Sequence, residues 1–262
     1  MTMIDTDEAK DWHGEDLVCD MCENSALSQA GKCQLRQACV QDRYAKRIDR
    51  FFDWNSDLAK DYLTHPYFEV RAVAAKHADV FHLPQLMKDP DETVRWSLAM
   101  RLPQRYLMMM RTDPDREVRI RVVARLDESQ LGTMINDTDY YVRQVIARRI
   151  SESKLVLLMH DPDPEVRVIV ARRIGEDMLV RMIKDKEANV RLGVVRRLPP
   201  EQLHLMMNDQ DWRVRYEVAE RIKGDKYLTQ MLNDEEPAIR ELVENRLAQG
   251  DAGQGTHFFS VV

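Results

Sequence analysis

Cys19, Cys22, Cys33 and Cys39 are the only cysteines in the chain, and they fall within 21 residues as C-x2-C-x10-C-x5-C. Thiols this close in sequence either pair as disulfides or bind metal, and in a reducing compartment tight clustering favours metal. Four thiolates satisfy a structural zinc tetrahedrally, and they equally hold an iron–sulfur cluster. Zinc ribbons usually bring two C-x2-C knuckles, whereas the second pair here is C-x5-C. That irregular spacing suits a larger cluster whose irons lie farther apart, so iron–sulfur leads and zinc stays the alternative. Gly31, just ahead of Lys32-Cys33, is suited to freeing backbone amides for sulfur. His13 is a further candidate ligand, although a lone histidine is ordinarily surface. No phosphate-cradling glycine loop, nucleophile elbow or two-histidine helical motif accompanies these residues, so no enzyme is expected.

The segments that must carry this cluster of thiols are repetitive. A Val-Arg pair recurs at Val70-Arg71, Val94-Arg95, Val118-Arg119, Val142-Arg143, Val166-Arg167, Val190-Arg191 and Val214-Arg215 in steps of 24 residues, and an eighth, Ile239-Arg240, follows after 25. With the Val as position 0, Asp dominates positions −5 and −3, and Leu or Met fills +13 and +16. Apolar residues at 0, +4, +5 and +8 have helical spacing. Asp at −3 is a good N-cap, and Pro164 follows Asp163 where a helix tolerates proline. Each unit therefore predicts a helix of about three turns, a loop often marked by proline, and a short second element of 3₁₀ character. One such unit cannot bury its own apolar face, but stacked units can, as a continuous all-α solenoid. The extra residue of the last step lies in the loop Lys223-Gly224-Asp225-Lys226, where insertion is cheap.

Arg at +1 falls inside the apolar arc of its helix. A buried charge that loses its partner costs about 3–5 kcal/mol, so the in-register Asp columns predict a ladder of Arg(+1) to Asp(−5) or Asp(−3) pairs. A second column at +7 (Arg101, Arg125, Arg149, Arg173, Arg197, Arg221, Arg246) falls at the edge of the arc, where side chains snorkel and a basic edge for phosphate is the functional alternative. Met108-Met109-Met110 and Met206-Met207 fall near the second element and read as core.

The formal net charge is −6, against a chain whose main task is coating phosphate; residues 1–64 hold 8 Lys/Arg and 13 Asp/Glu, while the remainder is nearly balanced at 31 and 32. No apolar run approaches the ~20 residues of a membrane span, and the acidic N-terminus lacks the shape of a secretion signal. A cytoplasmic protein is expected. Residues 1–64 read as a Cys-rich module and N-terminal cap, 65–248 as an eight-repeat solenoid, and 249–262 as a tail with an apolar ending that has the composition to dock on the last repeat.

The Asp-x-Asp-x-x-Val-Arg-x-x-Val-Ala-x-Arg-Leu units, as in Asp115 to Leu126, resemble the leucine-rich repeat variant family, and with the four-cysteine module the chain resembles its iron–sulfur members associated with nitrogen-fixation gene regions. The resemblance covers roughly residues 15–248. It implies alternating α- and 3₁₀-helices in a right-handed superhelix without sheet. It also implies a four-iron, four-sulfur cluster on Cys19, Cys22, Cys33 and Cys39. His65 and Tyr67 replace both acids of the first repeat, and Glu244 occupies +5 in the last. The family brings no established activity. The function expected is an iron–sulfur protein-interaction scaffold, engaged in electron transfer or redox sensing with a protein partner. The alternative is a nucleic-acid-binding helical repeat protein with a structural zinc or cluster site.

Overall fold

The computed structural model describes residues 8–250, which divide between Gln130 and Leu131 into two compact units. The expectation for the tail lies, from residue 251 onward, outside the described residues. Among the described residues there is no strand, only isolated bridges at Lys10–Asp16 and Gln34–Ala38, and no helix is long and apolar enough to cross a membrane.

In the first unit the helix Ala45–Trp54 and the 3₁₀ turn Ser56–Tyr62 follow the Cys-rich segment. The repeat helices Phe68–His77, Glu92–Ala99 and Arg116–Arg125 come next, with Val80–Leu86 and Gln104–Met109 between them. In the second unit the repeat helices are Tyr140–Arg149, Pro164–Arg173, Ala188–Val195, Trp212–Arg221 and Pro237–Ala248. The second elements Glu152–Leu158 and Pro200–Met206 are 3₁₀. Asp225–Met231 is instead a true α-helix, entered through Gly224 at φ 96°. The inserted residue of the last step is absorbed there, in a left-handed conformation that glycine adopts without a Cβ penalty.

The apolar columns form the core. Val94, Leu98, Ala99, Leu102, Leu107 and Met110 are buried in the first unit, and Val166, Val170, Ala171, Ile174, Leu179 and Met182 in the second. Each large aliphatic of this set stabilises by about 1.5–3 kcal/mol relative to exposure. Met206 joins this core, while Met109 faces solvent.

The two Asp columns have separate tasks. Asp at −3 caps its helix: the Asp115, Asp139 and Asp163 carboxylates each accept two backbone N–H groups of the first turn. At Glu187 and Glu236 the longer side chain makes no such bond. Asp at −5 receives the arginine of the preceding repeat. Arg71 forks onto Asp89 and Arg95 onto Asp113; in the second unit Arg143, Arg167, Arg191 and Arg215 fork onto Asp161, Asp185, Asp209 and Asp234. Nη1 of each arginine also donates to carbonyls of its own turn, as Arg143 does to Asp137 and Thr138. Burial pushes the Asp89 and Asp185 carboxyls up, but the guanidinium fork and a backbone N–H outweigh it and hold both below the usual carboxylate range. His65 keeps part of this arrangement: its Nδ1 accepts from Tyr67 N–H at 3.1 Å, as Asp89 Oδ1 accepts from Asp91 N–H.

The +7 arginines are not a free edge. Arg101 donates to the Ala75 and Ala78 carbonyls, Arg125 to Ala99 and Leu102, and Arg221 to Val195 and Leu198. Each guanidinium thus satisfies carbonyls at the C-terminal end of the preceding repeat's helix, groups that have no partner within that helix.

Candidate metal centre

Two local folds bring the thiols together. Cys19 opens a 3₁₀ turn, Cys19–Met21, closed by Cys22 N–H on the Cys19 carbonyl at 3.1 Å. The short helix Ser25–Gln29 then turns the chain back. Gly31, at φ 71°, allows Lys32 N–H to reach the Leu27 carbonyl at 2.8 Å. Its own amide binds the Ser28 carbonyl, so Gly31 serves the turn rather than sulfur. The C-x5-C spacing is a hairpin: Gln34 and Ala38 exchange backbone bonds at 2.8 and 2.9 Å, and Arg36 turns the tip at φ 66°. Cys33 and Cys39 leave the two arms of this hairpin, and both are buried.

All four cysteines are free thiols, Cys33 and Cys39 buried, Cys19 and Cys22 half-buried. All four line one small cavity, together with Leu17, Val18, Leu35 and Asn24 among others. The thiols surround this space; among the described residues no three His, Cys, Asp or Glu side chains are drawn together closely enough to hold a single metal ion. One sulfur already accepts a backbone N–H group from two residues on: Asn24 N–H to Cys22 Sγ at 3.5 Å. Hydrogen bonds to ligating sulfur are one of the means by which a protein sets an iron–sulfur potential.

The protonation pattern follows from burial and contact. Burial pushes the Cys22 thiol up. The influence of Cys33 and Cys39 on each other lowers the first and raises the second, and burial raises Cys39 further. A metal centre must displace these protons, so its affinity falls with acidity. Outer contacts then fix the frame. Asn24 Nδ2 donates to Tyr62 Oη at 2.8 Å, Tyr62 donates to Glu23 Oε1 at 3.3 Å, and Gln41 Nε2 donates to the same oxygen at 3.0 Å. Burial pushes the Tyr62 phenol up to about 12, so it stays a neutral donor. Buried Asn55 donates to the Lys32 and Phe51 carbonyls, tying the Cys33 arm to the first long helix.

The structure therefore gathers the four cysteines and leaves His13 outside, exposed and against Trp12. Asn24, Gln41 and Asn55 were not singled out by sequence, and Tyr62 stood out only for falling on the apolar columns of the repeat; the placement of Asn24 two residues after Cys22 is the one signal that points to its role. The donor set, four thiols about one space with the Asn24 amide on the Cys22 sulfur, fits an iron–sulfur group.

The comparisons agree. The model of a family described as "LRV protein FeS4 cluster" matches residues 9–61. An uncharacterized 27.7 kDa protein in the nifB 3′ region of Rhodobacter capsulatus is 49% identical over 96 residues, 37% of this chain and 39% of that protein, so the match spans well under half of the relative. A solved structure described as a leucine-rich repeat variant with a novel repetitive protein structural motif is 38% identical, with a TM-score of 0.82 over 88% of this chain and 98% of that one.

Proposed function

From the premise that this chain belongs to the leucine-rich repeat variant family, we propose that it is a cytoplasmic iron–sulfur scaffold protein that transfers electrons, or senses oxidation, for a protein partner held by its repeats. Cys19, Cys22, Cys33 and Cys39 would hold a four-iron, four-sulfur cluster, which supplies one-electron chemistry when bound. The remaining residues hold rather than react: the Cys33–Cys39 hairpin and the Cys19 turn set the thiols, the Asn24 amide binds sulfur, and Asn55 and Tyr62 keep the segment on the first helices. Four thiolates would occupy the four irons of such a cluster and leave none for substrate, and we assign no enzymatic activity. The nif-region relative supports a role beside nitrogen fixation.

The reading is carried by one observation, four unpaired thiols lining a single cavity with a backbone amide on the Cys22 sulfur. Anaerobically purified protein should contain iron and acid-labile sulfide in equal amounts, and reduction should produce an electron paramagnetic resonance signal that is lost in Cys33→Ser. Stoichiometric zinc without sulfide would replace the cluster with a structural ion and remove the redox role.

A further inference from the structure

The centre is built asymmetrically. Cys33 and Cys39 are buried, whereas Cys19 and Cys22 reach the surface on the turn Cys19–Met21. Apolar side chains flank that turn in the open: Val18 is 58% exposed and Met21 90%. A methionine this exposed adds nothing to the core, and solvated apolar groups beside a functional cavity mark contact surfaces. Charge is asymmetric as well. Glu15, Asp16, Asp20 and Glu23, all exposed, border the outer pair in sequence, while the exposed bases Lys32 and Arg36 belong to the arm and tip of the hairpin that carries the buried pair. Among the described residues only Asp16 of these acids meets a cation, Lys10 at 3.4 Å on an open surface.

We propose that the Val18–Met21 turn is the docking surface for a one-electron carrier protein whose redox centre lies behind an apolar patch ringed by Lys or Arg. This rests on the iron–sulfur reading and adds to it the face used and the chemistry of the partner. Val18 and Met21 exclude water over the shortest path to the outer thiols, and the carboxylates steer and orient the carrier. The carrier's metal gains one electron as the reduced cysteine-bound centre loses one; no bond or proton moves.

The test uses full-length, cluster-loaded protein, cytochrome c as the basic one-electron probe, and hexacyanoferrate(III) as a small anionic oxidant. The second-order rate with cytochrome c should fall about tenfold between roughly 20 and 200 mM salt. Asp16→Asn combined with Asp20→Asn should lower the low-salt rate by about three- to tenfold, and Met21→Lys should lower it at least as far. Titration calorimetry of the two oxidised proteins should show the same order of weakened binding. Oxidation by hexacyanoferrate, the resonance signal and the reduction potential should remain as in the parent. Unchanged rates and binding at an intact centre overturn this proposal alone. A parent protein without iron and sulfide overturns the cluster reading beneath it. Met21→Lys alters a side chain outside the core, so it reads the surface even where the double variant fails to fold.

Discussion

Replacing Arg143 with Met tests the arginine ladder most directly. Arg143 and Asp161 are 8% and 7% exposed, and they meet through two parallel bonds, Nε to Oδ2 at 2.7 Å and Nη2 to Oδ1 at 2.9 Å. Nη1 also serves the Asp137 carbonyl at 2.7 Å. Methionine fills similar volume but leaves the Asp161 carboxylate buried with only the Asp163 N–H at 2.9 Å to bind it. An uncompensated buried charge of this kind costs about 3–5 kcal/mol. Asp161→Asn keeps the turn and loses the charge, so it should cost slightly less. The double variant should cost less than the sum by about 1–3 kcal/mol, the coupling expected of contacting charges. Urea unfolding followed by circular dichroism reads the total, and amide exchange over 137–166 localises it, because a repeat array opens in parts. Arg213, exposed and paired with Asp211 at 2.8 Å, is the control; Arg213→Met should cost within about 1 kcal/mol. If Arg143→Met costs no more than Arg213→Met, or if the double variant is additive, the ladder is not a source of stability and the column reasoning fails.

Glu187→Asp should stabilise by about 0.5–1 kcal/mol in urea unfolding, because the shorter side chain restores the cap bond that Glu187 does not make. Arg125→Met removes two bonds, to Ala99 and Leu102 at 2.9 and 3.1 Å, and should cost about 1–3 kcal/mol with faster amide exchange at the end of the Glu92–Ala99 helix. Burial pushes His65 below the ordinary histidine value, and Nδ1 must stay unprotonated to accept from Tyr67. Its contribution is therefore complete above about pH 6.5 and is lost as pH falls through the lower folded value. Urea midpoints from about pH 7.5 to 5.5 should drop more steeply in the parent than in His65→Asn; parallel curves would refute this.

What the sequence conveyed depended on whether one unit sufficed to see it. The helix period, the Asp cap and the buried +1 arginine are properties of a single repeat, and they follow from Val94, Asp91 and Arg95 read alone. The choice between the two Asp columns is a property of adjacent repeats: Asp at −3 binds its own helix, which leaves Asp at −5 to face the preceding arginine. The +7 column misled for the same reason. Its position on one helix marks the edge of the apolar arc, but Arg125 reaches carbonyls of the preceding helix that no single-helix projection contains. At the centre, the four thiols were legible from spacing. The C-x5-C hairpin was not, since Arg36 is a residue type that seldom turns left-handed. Nor did spacing reveal that the amide on sulfur would come from Asn24 rather than through Gly31.

The forks of the second unit are geometrically alike: Arg143, Arg167 and Arg191 each grip a carboxylate 18 residues on, with Nε to Oδ2 at 2.7 Å. Each of these three joints therefore accepts the mating half of either other. Removing residues 161 to 184 would set Arg143 opposite Asp185 at the spacing it now holds to Asp161. A lineage carrying such interchangeable fastenings can lengthen or shorten by whole modules through unequal recombination, without inventing a new contact at the splice.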